Sequence, residues 1–381
     1  MAASAQPISD EAALGTIGPW TTFGPLLSNK QCNSQSGGQV MAQSSLPSWG
    51  TDLLVFLSAS GWANSPAGLS AAVKIGTSTP QTAVFVNSGA MHSALVRRRL
   101  FLADAPPGNL SVPVTAGAQT VTDLNDRVSL VVIQRGDPPP FYVREVTSGP
   151  PASGSSFFST TFSSVGGTLL ISAAASGYST VANVMTGVSV LLDGRGISNC
   201  ELCANHANSH QAFVPVDLIA TGVAPGTHTL ALTPEAGTTI DVNDFGSLTV
   251  VELLCPPTIM SATQVMANAP CKVQGGSNVV ASGNFTSAGG VLLVCVGVSG
   301  YTHNASQMLG VSIQIDGRAV GATELYANMA DTHLCLTGTD LVLSDIASGS
   351  HTIALVANST TVTDGYDRCS ITVIEVTKAA P

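Results

Sequence analysis

The feature that most constrains this chain is that it repeats itself about every 120 residues. Gly166-Gly167-Thr168-Leu169-Leu170, running on to Ser176-Gly177-Tyr178, returns as Gly289-Gly290-Val291-Leu292-Leu293, running on to Ser299-Gly300-Tyr301. A weaker copy starts at Gly50-Thr51-Asp52-Leu53-Leu54 and reaches Ser60-Gly61-Trp62. Other columns keep step. Asn87 and His92, Asn205 and His210, and Asn328 and His333 all share the spacing Asn-x4-His. Each copy then offers Asp-x2-Asp, at Asp123/Asp126, Asp241/Asp244 and Asp364/Asp367. Each closes on a β-branched run: Leu130 to Ile133, Leu248 to Val251, and Ile371 to Ile374.

Within a copy, runs of five to eight residues alternate in polarity or are rich in β-branched side chains, and Gly, Pro, Asn and Asp separate them. In His228-Thr229-Leu230-Ala231-Leu232 the two leucines face one way and Thr229 and Ala231 the other. No stretch holds a helical period for ten residues. The expected fold is therefore all-β: three tandem antiparallel β-sandwich (jelly-roll) domains with an N-terminal docking arm. The boundaries read as an arm over 1–40, sandwiches over 41–136, 151–255 and 276–381, and linkers over 137–150 and 256–275. Pro138-Pro139-Pro140, Pro150-Pro151 and Pro256-Pro257 make those linkers stiff, which suits an elongated rod.

Composition removes several functions. Charged residues are 9% of the chain and the net charge is −10, so a nucleic-acid partner, which needs a basic face, is not expected. The one basic run, Arg97-Arg98-Arg99, reads as a solvated strand edge or an intersubunit contact. No segment reaches the ~18 uninterrupted apolar residues of a membrane helix, and Met1 to Pro7 lacks the features of a signal peptide. The chain is expected to stay in the cytosol where it is made, or to leave by a dedicated route. The eight cysteines do not recur at matching places, so most are read as buried thiols.

Cys200, Cys203, His206 and His210 form the one metal-like spacing, with two thiols and two imidazoles for a tetrahedral zinc. The spacing is tighter than a zinc finger's, and the matching segment of the third copy has no cysteine. The Asp-x2-Asp pairs would offer oxygen ligands to calcium, but two aspartates are too few alone, and Asp is a common turn-former. His92, His210 and His333 have no repeating nucleophile or acid partner by sequence spacing. With Asn87, Asn205 and Asn328 they are read as structural positions satisfying buried backbone groups. Arg135-Gly136-Asp137 has the form of an integrin-binding tripeptide, a cheap match. The expectation is no catalytic residue, no cofactor and no resident metal.

Leu192-Asp193-Gly194-Arg195, Pro225-Gly226-Thr227-His228-Thr229-Leu230 and Thr249-Val250-Val251-Glu252-Leu253 resemble jelly-roll modules in structural proteins of tailed bacteriophages. Those modules are similar to the trimeric jelly rolls of tumour necrosis factor and complement proteins. The resemblance runs from about Gly50 to Thr377; the first copy departs by placing Lys74-Ile75-Gly76 where the Asp-Gly-Arg turn belongs. It implies a non-enzymatic virion protein (a tail or head fibre, spike or decoration) that forms a homotrimer and contributes to host attachment. Assembly would occur in the host cytoplasm, with other virion proteins engaged through the N-terminal arm. A host glycan or surface protein is the implied target. The alternative is an exported, lectin-like adhesin of a bacterial surface. An internal arrangement, with the three copies of one chain in the three places of a trimer, competes with the homotrimer.

Overall fold

In the computed structural model, which describes residues 15–17, 21–135, 141–151, 157–254, 259–276 and 278–377, every regular element is a β-strand. Each copy is a sandwich of a four-stranded antiparallel outer sheet and an inner sheet of four main strands extended by a two-residue strand, with Gly15–Ile17 added in the first copy. In the first, Thr21–Gln31, Arg127–Arg135, Leu53–Gly61 and Arg98–Leu102 make the inner sheet. Val40–Ser48, Gly108–Ala116, Ala67–Val73 and Gln81–Val86 make the outer one. The second copy repeats this with Phe141–Gly149, Gly246–Leu253, Gly167–Gly177 and Val216–Val223 inside. Phe158–Ser164, Gly226–Pro234, Val184–Leu192 and Arg195–Ala204 lie outside. The third does so with Met260–Pro270, Arg368–Val376, Val291–Gly300 and Thr339–Leu343, against Val279–Ala288, Ser348–Ala357, Gln307–Ile315 and Arg318–Ala327. The all-β reading and the three sandwiches are thus present in the fold.

Burial explains the two kinds of strand. Gly108–Ala116 alternates, turning Val112, Val114 and Ala116 inward and its other face to solvent. Leu53–Gly61 and Val291–Gly300 are instead buried along their whole length. One face fills the copy's own core, and the other packs against the neighbouring copies. Such strands read as continuous apolar runs.

The structure corrects the domain boundaries. Thr21–Gln31, expected in a docking arm, is the first strand of the first inner sheet, paired along Arg127–Arg135. Phe141–Gly149 and Met260–Pro270, expected as linkers, play the same part in the other copies. All three carry register shifts and lie at a sheet edge, except where Gly15–Ile17 flanks residues 21–23, so Pro25 and Pro270 are accommodated where an alternation argument would discount them. Pro138–Pro140 and the first 14 residues lie outside the described residues.

Nor do the copies form a rod. They close into a ring about a pseudo-threefold axis, with inner sheets facing inward. Leu54, Leu170 and Leu293, one from each copy, meet there with Phe56, Ile133, Val251 and Ile374 in a shared apolar cluster. Each buried leucine contributes about 1.5–3 kcal/mol. The exposed sheet faces that argued for a homotrimer are covered inside one chain, which is the internal arrangement.

Candidate functional site

The seams between copies carry the repeating polar residues. Strand Arg318–Ala327 turns Leu325 and Ala327 into its own core, so Glu324 and Tyr326, and then Asn328 just beyond, point outward to the first copy. The same alternation aims Glu201, Cys203 and Asn205 at the third copy, and Ala83, Phe85 and Asn87 at the second.

Across each seam the Asn grips a His. Asn328 Oδ1 accepts the backbone N–H of His92 at 2.7 Å and lies 3.0 Å from its Nδ1. Asn205 does the same for His333, at 2.7 and 3.0 Å. Asn87 accepts the backbone N–H of His210 at 2.7 Å. The Asn-x4-His columns therefore pair between copies, never within one.

On its far side each imidazole meets the Asp-x2-Asp of its own copy. His92 Nε2 lies 3.4 Å from Asp123 Oδ2 and 3.7 Å from Asp126 Oδ2. His210 Nε2 lies 3.3 and 3.8 Å from Asp241 and Asp244, and His333 Nε2 3.3 and 3.7 Å from Asp364 and Asp367. Two features that the sequence presented separately are one constellation, repeated three times. The aspartates are held by the turn itself. Asp126 Oδ2 accepts the backbone N–H of Asp123, its Oδ1 accepts the Ser60 hydroxyl, and Asp123 Oδ1 accepts the N–H of Asn125. Ser176 and Ser299 serve Asp244 and Asp367 alike. Burial pushes the inner carboxyls up, Asp126 and Asp367 to about 6 and Asp244 to about 7. Rings shield the sites: Trp62 and Tyr326 about His92, Tyr178 and Phe85 about His210, and Tyr301 about His333.

The four residues of the expected zinc spacing do not converge. Cys200 lies in the core of the second sandwich, where burial pushes its thiol far up and Ala173 O accepts its S–H. Cys203 is turned to the third copy, where burial and the carboxylates of Asp364 and Asp367 push it up to about 11. His206 reaches Thr332, while His210 faces the first copy. A strand's alternation sends side chains three apart to opposite faces. Seven cysteines are buried and free; Cys255 lies outside the described residues, as do Gly136 and Asp137, while Arg135 pairs with Asp52.

The seams are not identical. Arg127 donates to Glu324 and Arg368 to Glu201, each at 2.7 Å. At the remaining seam those places are Phe245 and Ala83, which pack with the first copy's apolar core.

On the axis, Arg99, Asp217 and Asp340 occupy one repeat position, seven residues after each repeated His. Arg99 gives its Nη1 and Nη2 to Asp340 at 2.7 and 2.9 Å and its Nη2 to Asp217 at 3.0 and 3.1 Å. Its guanidinium stands 3.9 Å over the Phe56 ring. Arg97 pairs with Asp217 and donates to Val296 O. Arg97 and Arg99 are 5% and 2% exposed, so the basic run is no solvated edge but the contact that joins the copies. Burial would raise Asp217, yet Arg97 and Arg99 bring its carboxyl down to about 2. Asp217, Cys295 and Asp340 also come close enough to share an ion, but the two guanidiniums already neutralise them.

Two open grooves lie away from these constellations. One is lined by Arg98, Phe101 and Arg144, the other by Asp193, Ile197 and Gln264.

No known family's sequence model matches the chain, and no curated protein matches it. Among solved structures it is similar to PNGase F, a glycosylasparaginase from Flavobacterium meningosepticum, at 10% identity over 63% of this chain and 96% of that one, with a TM-score of 0.33. PNGF-II shows 8% identity over 85% and 99%, with a TM-score of 0.31. A chain of Sulfolobus Turreted Icosahedral Virus shows 10% over 95% and 92%, with a TM-score of 0.20. Likeness at this level carries no argument about role.

Proposed function

We propose that this protein is a non-enzymatic structural element of a virion: a trimer-like jelly-roll unit made from a single chain, serving as a fibre, spike or decoration that presents attachment surfaces to a host. The observation that supports it is where the repeated polar residues go. Asn, His and Asp of each copy are spent on its seams, with His92, His210 and His333 only 6–7% exposed. The axis is filled by leucines and by a neutralised Arg–Asp cluster. A construction of this kind resists deformation and leaves its outer sheets and turns free to vary. Attachment to other virion proteins is assigned to the N-terminal segment ahead of Thr21–Gln31, and the host ligand to a glycan or a surface protein.

Particles purified from cells that carry the gene, labelled with antibody to this chain and imaged, test the reading. The expected result is label at regular positions on the particle, together with binding of the purified protein to host cells. Particles free of the chain, or hydrolysis of a host glycan abolished by one His or Asp substitution with the fold intact, would reject it.

A further inference from the structure

The hydrogen is fixed by the Asn at two seam histidines, His92 and His333. At His210 only the backbone N–H reaches Asn87, Nδ1 has no hydrogen-bond partner among the described residues, and Nε2 is the ring atom within reach of Asp241. A backbone N–H can only donate, so the Asn328 atom that receives it from His92 is the amide oxygen. That oxygen lies 3.0 Å from Nδ1, so Nδ1 carries the proton and Nε2 of the neutral ring presents a lone pair. Nε2 is buried without a hydrogen-bond partner in a residue 6% exposed, and it is aimed at the Oδ2 atoms of Asp123 and Asp126. A lone pair facing two carboxylates is repulsive unless a positive charge stands between them.

A shared proton would draw such a pair together, to about 2.7–2.9 Å. This chain shows that closure elsewhere: His228–Asp193 and His351–Asp316 lie at 2.7 Å and His303–Asp331 at 2.8 Å. The six seam distances all fall between 3.3 and 3.8 Å. Two ligands about 2.0 Å from a tetrahedral zinc subtend an edge of about 3.3 Å. We infer that two of the seams are divalent-cation sites of the zinc class, made by His92, Asp123 and Asp126 and by His333, Asp364 and Asp367, with water completing the set.

The surroundings fit. A ligating His ordinarily donates its other ring N–H to an oxygen, and a ligating carboxylate is itself hydrogen-bonded; Asn328 and Ser60 supply both. Asp123 is 32% exposed, which leaves an entry from solvent. Calcium, weighed at these aspartates from sequence and set aside, takes six to eight oxygens, whereas an imidazole with two carboxylates suits a transition-series cation. The inference is independent of the virion role.

The test uses the full chain without a histidine tag, stripped with chelator and dialysed against Zn2+. Elemental analysis is expected to find two zinc ions per chain, and Co2+ in their place to give the visible bands of a tetrahedral site. Asp123→Asn and Asp364→Asn keep an oxygen for the turn, so each is expected to fold and to lower the count by one. Wild-type chain that retains no metal would overturn the inference, as would a count that either folded variant leaves at two.

Discussion

Asn328 of the third copy holds His92 of the first through both its backbone N–H and its ring, so the two ends of the chain are joined as closely as any two neighbouring copies. A seam of the same design links His333 to Asn205 and His210 to Asn87. The chain is a closed ring rather than a string.

The first consequence is molecular mass. Sedimentation equilibrium of the purified protein is expected to return one chain, 38.5 kDa, across a wide concentration range. A stable species of three chains would show that the ring faces are not saturated internally.

Replacing the clasp itself should be costly. Asn328→Ala leaves the His92 backbone N–H and Nδ1–H buried without acceptors, a loss of about 1–3 kcal/mol for each group so orphaned. Urea unfolding reads this directly. Asn205→Ala is expected to match it, because His333 is held in the same way. Equal stability of either variant and the wild type would mean that the seam is held by packing alone.

The axis gives a stronger contrast. Arg99→Met strands Asp217 and Asp340 around one remaining guanidinium and is expected to cost about 3–5 kcal/mol. Adding Asp340→Leu leaves Arg97 opposite Asp217, one charge against one, and should recover most of the loss. A double-mutant cycle on these chains measures the coupling; simple additivity would refute it.

Two turns set a pH dependence. Hydrogen bonding to Asp193 and to Ala224 O raises His228, and the same bond lowers Asp193; His351 and Asp316 behave alike. A raised His stabilises fully below its unfolded value of about 6.5 and loses that contribution as pH rises through its folded value. A lowered Asp stabilises above about 3.9 and loses its contribution as pH falls through its folded value. The pairs therefore support the fold most between about pH 4 and 6.5. Thermal melts across pH should show the alkaline decline flattened in His228→Gln/His351→Gln. A decline of unchanged steepness would assign it to other groups.

Much of this was legible in the residues. The repeat, the β-branched closing runs and the Asn, His and Asp columns located three sandwiches and the polar triads of the seams, though not the Arg, Glu and aromatic residues beside them. What repetition cannot say is which copy a side chain faces. Asn-x4-His looks local, yet Asn and His are turned to opposite neighbours. The first long strand of each inner sheet was hidden for another reason: it is register-shifted, and in the first and third copies it carries proline, so Thr21–Gln31 and Met260–Pro270 show no clean alternation. The axial cluster was hidden because it is made by difference. Arg99, Asp217 and Asp340 share a column that looks unconserved, and Gly338, the counterpart of Arg97, has no side chain because a Cβ there would come within 2.9 Å of the Arg97 side chain.

That last column has a consequence for assembly and inheritance. Three separate subunits encoded by one gene must place the same residue three times about their axis, so an Arg there would meet two more, and any mutation arrives in triplicate. Fusion removes this constraint: each position can change once, and its neighbours can answer it. It also makes closure insensitive to dilution, since a copy that lets go of one neighbour stays tethered at an effective concentration on the order of millimolar. On the virion role proposed above, a particle would receive each unit complete, in fixed chain order, with three non-equivalent flanks to offer.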